Sequence, residues 1–101
     1  MRRQFEYHFE WDPIKARRNL QKHGVAFERA SGIFADPRAL SNFDVEHSRL
    51  EDRWITLGLD RSGILLVVCH TFHQEGDRQA YIRMISARKA TRNEINQYKG
   101  L

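Results

Sequence analysis

Cysteine is all but missing. Cys69 stands alone in 101 residues, so no intrachain disulfide can staple the fold and no thiolate cluster can hold a metal. Its setting, the apolar run Ile64-Leu65-Leu66-Val67-Val68-Cys69, reads as buried packing rather than as a nucleophile. Proline and glycine are sparse, two and six, and no Pro/Gly/Ser-rich stretch, repeat or low-complexity segment divides the chain. No apolar run approaches the roughly 20 residues that a bilayer-spanning helix needs. The opening segment MRRQFEYHFEWD carries two arginines but no apolar stretch behind them and acquires acids early, so a secretory signal is not expected. A Walker loop, a G-x-G-x-x-G turn, a G-x-S-x-G elbow and H-E-x-x-H spacing are also absent. What remains is the composition of one globular domain over residues 1–101, expected in the cytoplasm, with no membrane partner and no cofactor.

Acids are scarce in one place. From Arg78 onward six basic residues (Arg78, Arg83, Arg88, Lys89, Arg92, Lys99) face one acid, Glu94, whereas residues 1–77 carry 11 basic and 12 acidic groups. The net charge of +4 therefore belongs to the C-terminal quarter. A concentrated basic stretch on a small domain points to a polyanion, although a solvated basic face explains the charge alone equally well.

Periodicity predicts an α+β domain. Residues 5–11 alternate apolar and polar side chains with the period of a half-buried strand. Asp12 and Pro13 cap and open a helix that Gly24 ends. A second helix is expected over residues 25–34, up to the Asp36-Pro37 break. Then come a short strand near residues 40–43, strands over 53–59 and 64–72 joined by the turn 60–63, a turn over 73–79, and a strand over 80–87. Thr91-x-x-Glu94 is a capping box that opens a final helix. Two N-terminal helices, an antiparallel meander and a C-terminal helix should leave helices on one sheet face and the other face open.

Strand parity puts Ile82 and Met84 on one face and Tyr81, Arg83 and Ile85 on the other. Arg53 shares its face with Ile55 and Leu57. Arginines on a rigid open sheet make a preorganised phosphate site, because the guanidinium fork matches phosphate oxygens. Each alone reads slightly better as an edge or cross-strand partner of Glu51 or Asp52; with Arg88 and Lys89 just beyond the strand, phosphate binding is the better reading. Tyr98 reads as a core-edge aromatic. Among the five histidines, His70-x-x-His73 is a weak metal pattern ranked below surface histidine, so no metal is expected. His47 lies close enough to Glu51 and Arg53 in sequence for a proton-transfer role.

Several segments in order then carry a resemblance: Phe9-Glu10-Trp11-Asp12-Pro13 with Lys15-Ala16, Asn19, Lys22-His23-Gly24-Val25 with Phe27-Glu28, Phe34, Asp36-Pro37, Glu51-x-Arg53-Trp54 with Gly58, Ile82-Arg83, Ile85-Ser86-Ala87-Arg88, Ala90, Glu94 and Tyr98. Together they resemble the BrnT toxins over nearly the whole chain. Ile64, where that family is expected to carry a basic residue, and the long turn over 73–79 depart from the pattern. The resemblance implies a RelE-like fold, a metal-independent ribonuclease that arrests translation, and a BrnA-type DNA-binding antitoxin with which the toxin represses its own operon. It places Glu51, Arg53, Arg83, Arg88 and Tyr98 at the catalytic site and Lys22, His23 and Lys89 at RNA. Glu51 would then be the base, Tyr98 or His23 the acid, and the arginines would hold phosphate of mRNA, free or on the ribosome. The alternative is a non-catalytic nucleic-acid- or partner-binding module, an inactivated toxin serving as corepressor.

Overall fold

A computed structural model describes residues 5–101; Arg2 and Arg3, the arginines of the opening segment, lie outside the described residues. Strand β1 spans Glu6–Glu10. Asp12 accepts the Ile14 amide at 2.8 Å and Pro13 takes the first position of helix α1, Pro13–His23, which stops at Gly24 with φ 70°. That positive φ is costly for any residue with a Cβ, so glycine is needed there. Asn19 binds α1 to the sheet: its amide donates to the Val25 and Ala87 carbonyls at 2.9 and 2.8 Å and its oxygen accepts the Ala87 amide at 3.0 Å.

The second helix is shorter than expected. Helix α2 covers Phe27–Ser31 and continues as a 3-10 turn, Gly32–Ala35. Gly32 weakens the α-helix, and the approach to Asp36-Pro37 forbids its extension. Strand β2, Leu40–Phe43, leads through a 3-10 turn at Val45–His47 to β3, Arg53–Leu59. The next turn is tied by Asp60, which takes the Ser62 and Ile64 amides at 2.8 and 2.9 Å and the Arg29 guanidinium at 2.6 Å. Strand β4 is Leu65–Thr71, β5 His73–Glu75, β6 Gln79–Lys89, and helix α3 Arg92–Lys99.

The sheet runs β1-β6-β4-β3-β2, with β5 beside the first part of β6. It is mixed rather than purely antiparallel. The pairs β2–β3, β3–β4 and β4–β6 are antiparallel as expected, but β1 lies parallel to β6. A parallel pair needs a long crossover, and the helices and intervening strands supply it. The turn expected over 73–79 narrows because β5 pairs with Gln79, Ala80 and Tyr81. Strand β6 also runs on, so Arg88 and Lys89 belong to it rather than following it.

Both sheet faces are covered, unequally. Helices α1 and α2 close one face over Leu66, Val68, Ile82, Met84 and Ala87, with Val25, Phe27 and Ile33 filling the layer. The face expected to be open is partly closed by α3, whose Ile95 and Tyr98 pack on Leu57, Leu65 and Val67. Gly58 permits the 3-10 turn to sit against β3, since a Cβ there would stand 3.1 Å from the Ile33 Cβ.

One irregularity decides which side chains meet. Cys69 pairs with Ser86 but His70 pairs with Met84, so Ile85 is an extra residue in β6. Such a β-bulge inverts the alternation beyond it. Ile82 and Met84 are buried before it and Ala87 after it. Arg83 and Arg88, five positions apart, would have opposed each other on a regular strand; the bulge turns both toward the α3 side.

Candidate active site

Between residues 44 and 53 the chain turns back so that Glu51 lies over the uncovered end of the α3-side face. There the Arg83 guanidinium donates to Glu51 Oε1, and Arg53 Nη2 donates to the same oxygen at 3.3 Å. All three side chains are partly exposed: Arg53 33%, Arg83 40%, Glu51 34%. The Arg83 hydrogen bond, aided by Arg53 and opposed by burial, holds the Glu51 carboxyl below its usual range. Arg53 Nε is enclosed without an acceptor. Two cations on one carboxylate oxygen leave a net positive charge and unspent donor capacity, which suits a phosphate with its several oxygens.

The other expected site residues lie elsewhere. Arg88 faces Val67, which pairs with Leu57, four residues along β3 from Arg53, or roughly 13 Å. It forms a two-pronged ion pair with Glu94, at 2.8 and 2.9 Å. Glu94 also closes the capping box with Thr91, and the Arg88 fork brings its carboxyl down to about 2. Glu94 in turn raises the Arg88 pKa.

Tyr98 sits farther still. Its hydroxyl donates to Asp36 at 2.6 Å, and Asp36 also takes the Leu59 amide at 2.9 Å. Leu59 is six residues from Arg53, roughly 20 Å along an extended strand. The Asp36 bond raises the Tyr98 pKa. Burial works against the Asp36 carboxylate, but the Leu59 amide and Tyr98 hydroxyl outweigh it and its pKa falls. The pairing of Tyr98 as acid with Glu51 as base therefore does not fit this arrangement.

Lys89 lines a groove of about 580 Å³ beside α3, where Arg38 and Lys99 share the rim and Leu59, Ile64 and Ile95 lie below. Lys22 and His23 are at the end of α1, in a shallow pocket with Lys15, Arg18, Ile85 and Ser86. His47 is engaged by Asp44 at 2.9 Å. His70 is 2% exposed and belongs to the core. Its Nδ1 donates to the Thr71 carbonyl at 2.8 Å, so Nε2 accepts from Thr56 at 2.6 Å, and Thr56 accepts from Ser41 at 2.7 Å. Burial lowers its pKa, against the Thr71 bond. Among the described residues no three His, Cys, Asp or Glu side chains converge as metal ligands would, and no helix is long and apolar enough to cross a membrane.

Residues that drew less notice in the sequence do join the arginine pair. His8 and His73 both pair with Tyr81, one from β1 and one from β5. The row lies one pleat from Arg83, on its face. Only the register of three strands brings positions 8, 73 and 81 together.

The family described as "Ribonuclease toxin, BrnT, of type II toxin-antitoxin system" matches residues 11–94. The chain belongs to the BrnT family. Its fold is similar to that of the Brucella abortus ribonuclease toxin BrnT, known from a 1.1 Å crystal structure: TM-score 0.53, 20% identity, covering 81% of this chain and 94% of that one. No curated protein matches it. Membership in BrnT implies an antitoxin partner and an RNA substrate, and the uncovered end of the α3-side face is where this member keeps two arginines under one carboxylate.

Proposed function

We propose that the chain, one RelE-like toxin domain over residues 1–101, is a metal-independent endoribonuclease acting in the cytoplasm on mRNA, free or on the ribosome. The observation that carries the reading is the convergence of Arg53 and Arg83 on a single Glu51 oxygen. A phosphodiester replaces Glu51 as the partner of both guanidiniums. The cleavage is attack of the neighbouring 2′-hydroxyl on that phosphorus with departure of the 5′-oxygen. The arginines stabilise the charge that accumulates on the non-bridging oxygens. Substrate binding releases Glu51 from both guanidiniums, whose hydrogen bonds hold its carboxyl below the usual range in the free protein. Arg88, two pleats away on the same side, takes a neighbouring phosphate, and Lys89, Lys22 and His23 contact the strand beyond.

The partner is a BrnA-type antitoxin whose DNA-binding part carries the complex to operator DNA. The groove beside α3 supports an acidic docking segment with aliphatic anchors: its floor is aliphatic and its rim carries Arg38, Lys89 and Lys99. Ile64, where a basic residue was expected, lies in that floor and is 41% exposed. The test is incubation of purified protein with RNA in the presence of a chelator, and in cell-free translation. Cleavage that antitoxin abolishes is the expected result. RNA bound and left whole in both assays means a corepressor, and the ribonuclease reading fails.

A further inference from the structure

The arginine pair supplies charge stabilisation but lacks a proton donor, since Tyr98 is at the far end of β3. The row beside it has two imidazoles. His8 stacks on Tyr81 with ring centroids 4.8 Å apart and planes at 16°, and His73 is the register partner of Tyr81 on the other side. Tyr81 lies between Ala80 and Ile82, both 0% exposed on the α1 side, so the row faces away from the core, toward Arg83. His8 and His73 are each one strand from β6, so their backbones stand about 10 Å apart. The Tyr81 ring stands between them, so the two imidazoles flank it and a phosphoryl group would meet both at its outer edge, one from each side. Arg83 follows Tyr81 by two residues on β6, roughly 7 Å along the strand.

We propose that His8 and His73 are the acid–base pair of the RNA cleavage described above, a role that rests on that reading. One imidazole, neutral, takes the 2′-hydroxyl proton as the O2′–P bond forms. The other, protonated, gives its proton to the 5′-oxygen as the P–O5′ bond breaks. The products are a 2′,3′-cyclic phosphate and a 5′-hydroxyl, with no oxidant, metal or water consumed. Each histidine ends in the other's starting state, and solvent exchange resets them. The charged and titratable groups facing the row are Glu6 on β1, whose carboxylate is 3.7 Å from His8 Nε2, Glu10 beside Arg83, Glu75 on β5, Tyr81 and Arg83 on β6, and Glu51 above them. Gln79 Oε1 lies 3.1 Å from His8 Nε2 and fixes the ring in the absence of substrate.

The experiment is single-turnover cleavage of a short RNA oligonucleotide by purified parent, His8→Asn and His73→Asn proteins from pH 5 to 9, with circular dichroism on each and oligonucleotide affinity from fluorescence anisotropy. The parent should give a bell-shaped rate profile and cyclic-phosphate ends. Each variant should cleave about 10²–10⁴-fold more slowly, with one limb of the bell lost, opposite limbs for the two, and with affinity within about threefold of the parent. Imidazole should restore part of the rate to His8→Ala and His73→Ala. A parent that cuts while both folded variants match its rate and profile removes the histidine pair and leaves the ribonuclease reading standing. Variants that lose affinity at unchanged maximal rate make the row a binding surface and overturn the proposal. A parent that leaves RNA whole both as the oligonucleotide and in cell-free translation overturns both.

Discussion

Arg53 and Arg83 share one carboxylate oxygen, whereas Arg88 has both oxygens of Glu94 to itself. At the first end, away from α3, two guanidiniums outnumber the one carboxylate they share, and an unpaired Arg53 Nε is enclosed. The second lies under α3, is charge-neutral at Arg88, and its Tyr98 and Asp36 are mutually satisfied. A donor set with spare capacity can take a ligand at little cost; a satisfied set must first break what it has. The comparison separates reactive from structural residues that a list of charged positions merges. In the proposed reading the chemistry belongs to Arg53, Arg83 and the histidine row, while Glu94, Tyr98 and Asp36 are engaged in the contacts that hold α3.

The largest expected difference is kinetic. Arg83→Ala should slow RNA cleavage about 10²–10³-fold with its melting temperature close to the parent's, because loss of one preorganised charge-stabilising group has that effect. Arg83→Lys should recover only part, since an ammonium lacks the fork. Full activity in folded Arg83→Ala erases the contrast between the two ends.

Next in size is a stability effect that calibrates the assays. Gly58→Ala places a Cβ 3.1 Å from Ile33 Cβ and 3.2 Å from the Ile33 carbonyl. Urea unfolding should show a loss of about 1–3 kcal/mol, the usual cost of overpacking. Glu94→Ala should cost about 1–2 kcal/mol through the lost cap, with cleavage by the folded fraction retained. A rate collapse in Glu94→Ala at full stability would move chemistry to the α3 end. Tyr98→Phe is smaller again, about 1 kcal/mol for one hydrogen bond, and its cleavage rate should equal the parent's.

The finest discrimination comes from pH. His70 and the carboxyls of Glu51, Glu94, Asp36 and Asp60 all have folded values below their unfolded ones. The unfolded chain then binds more protons, so stability is full above the unfolded values and falls as pH drops through them. Thermal unfolding should soften first below about pH 6.5 as His70 is forced to charge, and more steeply below about pH 4.5 as the carboxylates titrate. Glu94 yields at about 2, and Asp60, held lower still by Ser62, Arg29 and the Ile64 amide, yields after it. A melting temperature flat from pH 7 to 3 contradicts these pairings.

Local grammar was legible in the sequence. The Asp12-Pro13 start, the Gly24 stop and the Thr91-x-x-Glu94 box rest on neighbours within a turn and formed as read, and residues 6–10 make the expected strand, although Phe5 and Tyr7 stay exposed rather than half-buried. The shared face of Arg53 and Arg83 followed from strand parity. What lay beyond reach depends on register between distant segments. The parallel pairing of β1 with β6, the separation of Tyr98 from Glu51, and the meeting of His8 with His73 across Tyr81 have no local signal. Glu51 was read both as a base and as a partner of the arginines, and the ion pairs show it in the second arrangement, on both at once.

The extra residue at Ile85 has a bearing on how relatives should be lined up. Deleting it would let Met84 and Ser86 pair consecutively with His70 and Cys69 and leave Ala87 and Arg88 on their present faces, whereas straightening the strand with Ile85 kept would turn Ala87 outward and Arg88 toward the core. Four residues separate Arg83 from Arg88, and an even count keeps both on one side only with a bulge between them. A relative with three or five residues between its two cations can dispense with the bulge; one with four must keep it. The length of that interval, rather than the identity of the residues in it, is the mark by which this face can be followed from one sequence to the next.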